Sequence, residues 1–228
     1  MRTTGIIAEY NPFHNGHAHQ IAKAKEMTGA DYCIIAMCGD FVQRGAPAVA
    51  DKYLRAETAL KNGADLVLEL PVYYALGSAE YFASGAVALF DRLGIVDALC
   101  FGSECGDIAV LSEFAASLID EDAVFKEVLD RHLRMGYAYP GARNAALRAS
   151  DPGLTPYMHV MSAPNNILGI EYCKALLRRG SQIRPYTTHR AGSSYHDASL
   201  LNTYCSALAI REAIDAAGNL SEVVNLMP

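Results

Sequence analysis

Two histidines, His14 and His17, stand three residues apart in the run Pro12-Phe13-His14-Asn15-Gly16-His17. An apolar stretch, Gly5-Ile6-Ile7-Ala8-Glu9-Tyr10, precedes them, and a helix-periodic one, His17 to Met27, follows. This order predicts a strand, a tight glycine-containing turn and a helix N-terminus. Amides at a helix start lack intrahelical partners and carry the positive end of the dipole, so they draw phosphate. Two imidazoles three positions apart can approach one phosphate while Gly16 keeps the backbone out of the way. That set suits a nucleoside triphosphate cleaved between its α- and β-phosphates. Read alone, the pair could equally be caps or surface residues. The strand before it, the helix after it and its place at the first strand of an α/β sheet favour the chemical reading.

Other candidate groups lie at predicted strand ends and helix starts. Ser206 opens a helix that carries Arg211 one turn later; the pair either binds phosphate or is an N-cap and a surface arginine. Gly102, in Cys100-Phe101-Gly102-Ser103-Glu104, would let the backbone approach a base or ribose, or is an ordinary turn. Asn165, in Pro164-Asn165-Asn166-Ile167-Leu168-Gly169, offers a donor and an acceptor to an adenine edge or ribose, or caps its own helix. Arg190 follows the last strand and can bind phosphate, and His196 and Asp197 beyond it form a proton-transfer pair or a loop hydrogen bond. After the second strand, Asp40 and Arg44 are candidates for substrate or anion contact, or for a salt bridge at the sheet edge.

The elements that would position these groups are legible from periodicity. Apolar, β-branched runs predict strands over 4–9, 31–37, 65–70, 97–102 and 183–188, and helical periodicity covers 17–28, 51–62, 78–93, 107–118, 121–134, 165–179 and 206–217. The alternation predicts a Rossmann-like α/β fold: a doubly wound parallel sheet of about five strands, covered on both faces. Residues 105–160 break the rhythm and read as a helical insertion, either a lid or a plain helical layer. The whole of 1–228 is expected to form one catalytic domain.

The chain has 228 residues, half of them apolar, a net charge of −6 and a pI of about 5.6. Such an acidic balance argues against a strong nucleic-acid binder. Two local basic groups, Arg178-Arg179-Arg184-Arg190 and Arg131-Arg134-Arg143-Arg148, read first as solvated faces. No apolar run approaches the ~20 residues that span a bilayer, and the N-terminus turns into a strand with Glu9 rather than a secretory signal. The cytoplasm is the expected compartment, with no membrane partner. Cys33, Cys38, Cys100, Cys105, Cys173 and Cys205 form no C-x-x-C pair and read as small buried residues. No metal site is expected, since the histidines lack a third ligand at a recognised spacing.

Taken together, these segments resemble the HxGH nucleotidyltransferase superfamily, whose second signature reads roughly I-S-S-T-x-I-R. Ser206 and Ile210-Arg211 keep part of it, with leucine and alanine between. Within that superfamily the chain is similar to bacterial tRNA(Met) cytidine acetate ligases. The similarity lies in Ala8 to His17, Gly39-Asp40-Phe41-Val42-Gln43-Arg44-Gly45, Asn62 to Val67, Phe101 to Glu104, Pro164 to Gly169 and Ser194-Tyr195-His196-Asp197. Cys38 stands where that family often has serine.

The resemblance implies activation of acetate by ATP to acetyl-adenylate, with release of pyrophosphate, and transfer to N4 of the wobble cytidine of elongator tRNA(Met), giving N4-acetylcytidine. It implies His14 and His17 as catalytic residues. ATP would be wrapped by Ile7, Ala8, Glu9, Tyr10, Asn11, Pro12, Phe13, His14, Asn15, Gly16, His17 and Gln20. Gly102 and Asn165 would lie near the nucleoside and Arg190 near the phosphates, and Ala191, Ser206 and Arg211 would complete the site. Mg²⁺ would accompany ATP. Family members continue for well over a hundred further residues, so the RNA-binding C-terminal part is expected to be absent and the hold on tRNA weak or missing. The competing readings are a nucleotidyltransferase moving AMP or CMP onto a small phosphorylated acceptor, and a nucleotide-sensing domain without turnover. Replacing either histidine by alanine is expected to cost about 10²–10³ in rate, with little effect on folding.

Overall fold

Five apolar segments form one sheet in the computed structural model, which describes residues 1–190, 206–221 and 223–228. The strands β1 (Thr3–Ala8), β2 (Tyr32–Cys38), β3 (Leu66–Leu70), β4 (Ala98–Ser103) and β5 (Arg184–His189) each begin and end within one residue of their predicted positions. All pair in parallel, in the order β3-β2-β1-β4-β5. The helices are α1 (Asn15–Thr28), α2 (Lys52–Lys61), α3 (Val72–Ala75), α4 (Ala79–Leu93), α5 (Ile108–Ser117), α6 (Ala123–Arg134), α7 (Tyr139–Ser150), α8 (Pro164–Arg179) and α9 (Ala207–Ala217), with a 3₁₀ segment over Pro152–Ser162.

Side chains alternate across a strand, so continuous apolar strands supply two cores. Ile6, Cys33, Ile35, Met37 and Cys100 pack with Ile21 and Ala24 of α1 and Ala59 of α2. Their neighbours Ile7, Ile34, Ala36, Leu99 and Phe101 face the other way, against Phe82 and Phe90 of α4, Leu111 and Phe114 of α5 and Ile170 of α8. Ala146, Leu147 and Leu154 belong to this second cluster, so the helices of 105–160 continue the layer that covers the sheet. Sequence periodicity missed α7 because Pro140 and Gly141 read as a turn. Pro140 sits in the first turn of α7, where the missing N–H costs nothing.

The amino edge of the sheet is latched by three aspartates. Asp31 accepts from Arg2 N at 2.8 Å, Asp65 from Cys33 N at 2.7 Å and Asp97 from Thr3 N at 2.8 Å. Each precedes its own strand and caps a neighbouring one, so strand register is set at that edge. The opposite, carboxyl edge is left for binding. The winding direction reverses between β1 and β4, and in such sheets the crevice lies there. The turn after β1 carries His14, and β4 carries Gly102 near its end.

Gly5 lies in the middle of β1, where an added Cβ would come within 2.8 Å of the buried Phe90 ring. Gly5→Val is therefore expected to destabilise the fold by about 1–3 kcal/mol in urea titration, with Phe90→Leu in the same chain recovering part of the loss. Additive losses in the double variant would contradict this packing.

Candidate active site

The two histidines build the first turn of α1 by capping each other. His14 is the N-cap, with extended backbone, and its Nδ1 accepts from Gly16 N at 3.1 Å. His17, three residues on, accepts from His14 N through its own Nδ1 at 3.2 Å. This is a capping box built from imidazoles in place of the usual Ser/Thr and Glu. The rings stack at 3.7 Å with 28° between their planes, and Tyr10 and Phe13 hold His17 from behind at 4.8 and 5.6 Å. Tyr10 occupies the left-handed region at φ 50, a conformation that a non-glycine residue adopts only where its surroundings impose it. Its ring, 1 % exposed, packs edge-on against Phe13.

These bonds fix the tautomer of both rings. A neutral imidazole accepting at Nδ1 carries its proton on Nε2. Burial pushes His14 down to about 4, and the Arg190 guanidinium adds to the shift. His17 falls well below the usual histidine range by burial, then by the charges of His14 and Arg190. At neutral pH the pair is two uncharged N–H donors beside one permanent cation. The sequence predicts free helix amides meeting phosphate. Here Gly16 N and His14 N are spent on the rings, and His17 N on His14 O at 2.8 Å, so the rings project donors beyond the helix end. It also changes the expectation for folding: His14→Ala removes a cap, which costs about 1 kcal/mol.

Two cavities meet at this pair. The larger, about 490 Å³, is lined by Ile7, Ala8, Glu9, Tyr10 and Asn11 at the end of β1, by His14, His17 and Gln20 of α1, and by Gly102, Asn165, Arg190, Ser206, Arg211 and Arg44. The smaller, about 340 Å³, shares His14, His17, Gln20, Gly102, Arg190 and Ser206 and adds Gly16. Pro12 and Phe13 are buried under the turn. Asn15 turns aside to donate to Asn225 O at 3.0 Å. Asp40 is exposed, its carboxylate 3.7 Å from Lys52. Ala191, His196 and Asp197 lie outside the described residues.

Several of these groups also hold one another in place. Glu9 accepts from Gln43 N at 3.0 Å and Asn11 Oδ1 from Val49 N at 2.8 Å, which fastens the 39–50 loop to the turn after β1. Arg211 donates to Asn11 O at 2.6 Å, which ties α9 to the same turn. Ser206 is the N-cap of α9, its hydroxyl accepting from Ala209 N at 3.1 Å. An added Cβ on Gly102 would approach Arg190 Cγ to 3.0 Å, so glycine there makes room for the guanidinium. The N-terminus of α8 is closed to phosphate: Glu104 accepts from Asn165 Nδ2 at 2.6 Å and from Asn166 N at 2.9 Å. Asn166 is buried, bonding Cys105 N and Val160 O.

Arg55 escaped sequence reading. It is 2 % exposed and donates to Glu9 O at 2.7 Å, Cys38 O at 3.1 Å, Ala50 O at 3.0 Å and Gly39 O. Among the described residues no carboxylate lies within ion-pair distance of it. One guanidinium thereby joins the carboxyl ends of β1 and β2 to both ends of the loop that walls the larger cavity. Only a charged residue on the inner face of a predicted helix could have signalled it. Among the described residues, no three histidine, cysteine or acidic side chains are grouped to hold a metal ion, and no helix is long and apolar enough to cross a membrane.

A parallel sheet that reverses at a paired-histidine helix start is a nucleotide-binding type of α/β domain, and the chain belongs to the HIGH Nucleotidyl Transferase family, whose profile matches residues 1–228. It is 45% identical over 228 residues to the tRNA(Met) cytidine acetate ligase of Clostridium novyi, covering 100% of this chain and 57% of the relative. With the protein of that name from Caldicellulosiruptor bescii the identity is 47% over 229 residues, covering 100% and 55%. The crystal structure of Thermotoga maritima TmcAL bound with alpha-thio ATP superposes with a TM-score of 0.91 at 39% identity, covering 100% of this chain and 53% of the other. Its apo form gives 0.95 at 40%, covering 100% and 54%. The chain spans about half the length of the curated relatives it matches. The resemblance drawn from short motifs thus extends along the whole chain.

Two outcomes follow from this geometry. An imidazole whose native value is depressed to about 4 stabilises the fold fully above its unfolded value near 6.5, and that stability is lost as pH falls from there to about 4, because the unfolded chain binds the proton the native ring refuses. Wild type is expected to lose on the order of 3 kcal/mol more over this window than His14→Asn, which keeps the cap but cannot titrate. Parallel urea-melt curves for the two proteins would contradict the buried neutral ring. Arg55→Met leaves four carbonyls without their donor and is expected to cost about 3 kcal/mol or more, with Arg55→Lys recovering less than half; a loss below about 1 kcal/mol would show that water replaces the guanidinium.

Proposed function

We propose that this chain activates acetate with ATP and passes the acetyl group to N4 of the wobble cytidine of elongator tRNA(Met). The observation that carries the reading is the stacked pair of Nε2–H donors opening on a cavity that also receives Arg190. In the first step the acetate carboxylate attacks the α-phosphorus, the bond from that phosphorus to the bridging oxygen breaks, and pyrophosphate leaves with the electron pair. Negative charge grows on the bridging and non-bridging oxygens. His14 and His17 donate to them from a low-dielectric site and are already oriented before substrate arrives. Arg190 adds a permanent cation. Mg²⁺ would enter on the phosphates, since Mg²⁺ keeps much of its shell of water and phosphate oxygen.

In the second step the cytidine N4 amine attacks the acetyl carbonyl, the bond from that carbon to the adenylate oxygen breaks, AMP leaves with the electron pair, and N4 releases one proton to solvent. The chain's part is to exclude water and orient the mixed anhydride. The Glu9–Gln43 and Asn11–Val49 bonds hold the wall of the cavity for that purpose. The similarity to proteins named tRNA(Met) cytidine acetate ligase supports the choice of acetate and of this RNA; the geometry supports adenylate formation.

Acetate-dependent exchange of labelled pyrophosphate into ATP tests the first step without RNA. Exchange is expected for the wild-type chain, with a loss of about 10²–10³ for His17→Ala. His17→Gln, which keeps the N3 cap acceptor, separates folding from catalysis: it is expected to melt like wild type and exchange like His17→Ala. Wild-type exchange by a folded His17→Ala would overturn the mechanism. A stable dinucleotide product with a phosphorylated acceptor would favour nucleotidyl transfer instead.

A further inference from the structure

One basic segment is left unused by this reading. From Arg131 to Ser150 the chain has no aspartate or glutamate, although it carries 25 acidic residues in all. The segment forms the end of α6, a short connection and α7. Its tip is exposed without a break from Leu133 to Gly141. Met135 is 64%, Tyr137 54% and Tyr139 53% exposed. Arg134 projects from the last turn of α6 with no ion pair among the described residues. Among the described residues Arg131 pairs only with Glu127 of its own helix, at 2.6 Å, an exposed i,i+4 contact that an external anion can displace. His132 holds Tyr137 edge-on at 5.2 Å and donates its Nδ1–H to Val128 O at 2.9 Å, so the tyrosine ring is braced while its outer face stays open.

The tip extends from the helical layer that shares a core with α4: Ala146 and Leu147 of α7 cluster with Phe82 and Phe90. The far end of α7 is pinned by Asp151, which accepts from Ser117 Oγ at 2.7 Å, at the end of α5. Near the start of α7, Arg143 is close enough to Glu80 for its charge to favour the carboxylate, and Glu80 follows Ala79, a cavity-lining residue in the first turn of α4. The α6–α7 connection therefore extends from the helical layer whose α4 end lines the larger cavity. Exposed cations and aromatic faces with no acid among them suit a polyanion with unstacked bases.

We propose that the α6–α7 tip, through Arg131, Arg134, Tyr137 and Tyr139, holds the anticodon arm of the RNA substrate beside the cavity. The arginines contact phosphates and a tyrosine ring stacks on a loop base. The assignment rests on the function proposed above and names the surface that serves it.

The test uses the full 228-residue chain and a fluorescein-labelled RNA hairpin with a seven-nucleotide loop carrying cytidine at the wobble position. Anisotropy titrations run from about 50 to about 200 mM KCl. Arg131→Glu with Arg134→Glu is expected to weaken binding at least about tenfold and to lower the log–log salt slope by about 2. Tyr137→Ala with Tyr139→Ala is expected to weaken it about tenfold with the slope unchanged. Lys126→Glu, at the other end of α6, should alter neither. Undetectable binding by wild type, unchanged affinity in both tip variants, or an equal loss in Lys126→Glu would overturn the assignment. Acetate-dependent exchange, measured on the same proteins, should be unaffected by the tip variants. If wild type fails to exchange, the proposed activity falls; if it exchanges and the tip variants bind RNA as wild type does, only the surface assignment falls.

Discussion

Everything at the carboxyl edge of the sheet depends on two imidazoles closing the first turn of one helix. A capping side chain usually ends its work when it satisfies a backbone amide. Here each ring has a second nitrogen pointing away from the helix, so the bond that stabilises α1 also decides which atom bears the proton. Folding and chemistry use opposite ends of the same rings. The stack braces each ring against the other, and Tyr10 and Phe13 pack behind His17. Burial keeps both rings uncharged, which lets two histidines and Arg190 share a small volume without strong repulsion until an anion arrives.

The sheet separates holding from reacting. Aspartates bind strand amides at the amino edge, far from the cavities. At the other edge the chain is fastened loop to loop: Glu9 and Asn11 to the 39–50 segment, Arg211 back to Asn11. Polar residues lining a cavity are easily read as ligand contacts. In this chain several of them carry structural bonds that set the cavity's shape, and a residue can do both where its remaining atoms face inward. Ser206 is such a case, since it caps α9 and lines both cavities.

Strands, most helices and the turn that carries the paired histidines were legible in sequence because each is a local signal. Apolar β-branched runs mark β1, β2 and β4, and a reversal of winding puts their carboxyl ends at one crevice. What escaped was non-local or against type. The helix α7 begins with Tyr-Pro-Gly, which reads as a turn, and α3 is a single turn. Glu104 closes the start of α8 from a loop about sixty residues earlier, so Asn165 cannot present its amide to a phosphate as a bare helix end would. Arg55 lies on an ordinary amphipathic helix, and only the folded chain shows that it points inward. The roles of Ala191, His196 and Asp197 stand on motif resemblance.

Arg55 has a consequence for how the wall of the cavity behaves. Buried arginines are commonly balanced by a carboxylate, and such pairs loosen when acid neutralises the partner. This one is balanced by main-chain oxygens of Glu9, Cys38, Gly39 and Ala50, none of which titrates in water. The clamp between the first two strands and the loop beside them is therefore blind to proton concentration. Acid acts on the histidines and on the Glu9 carboxylate, and leaves this one clamp unchanged.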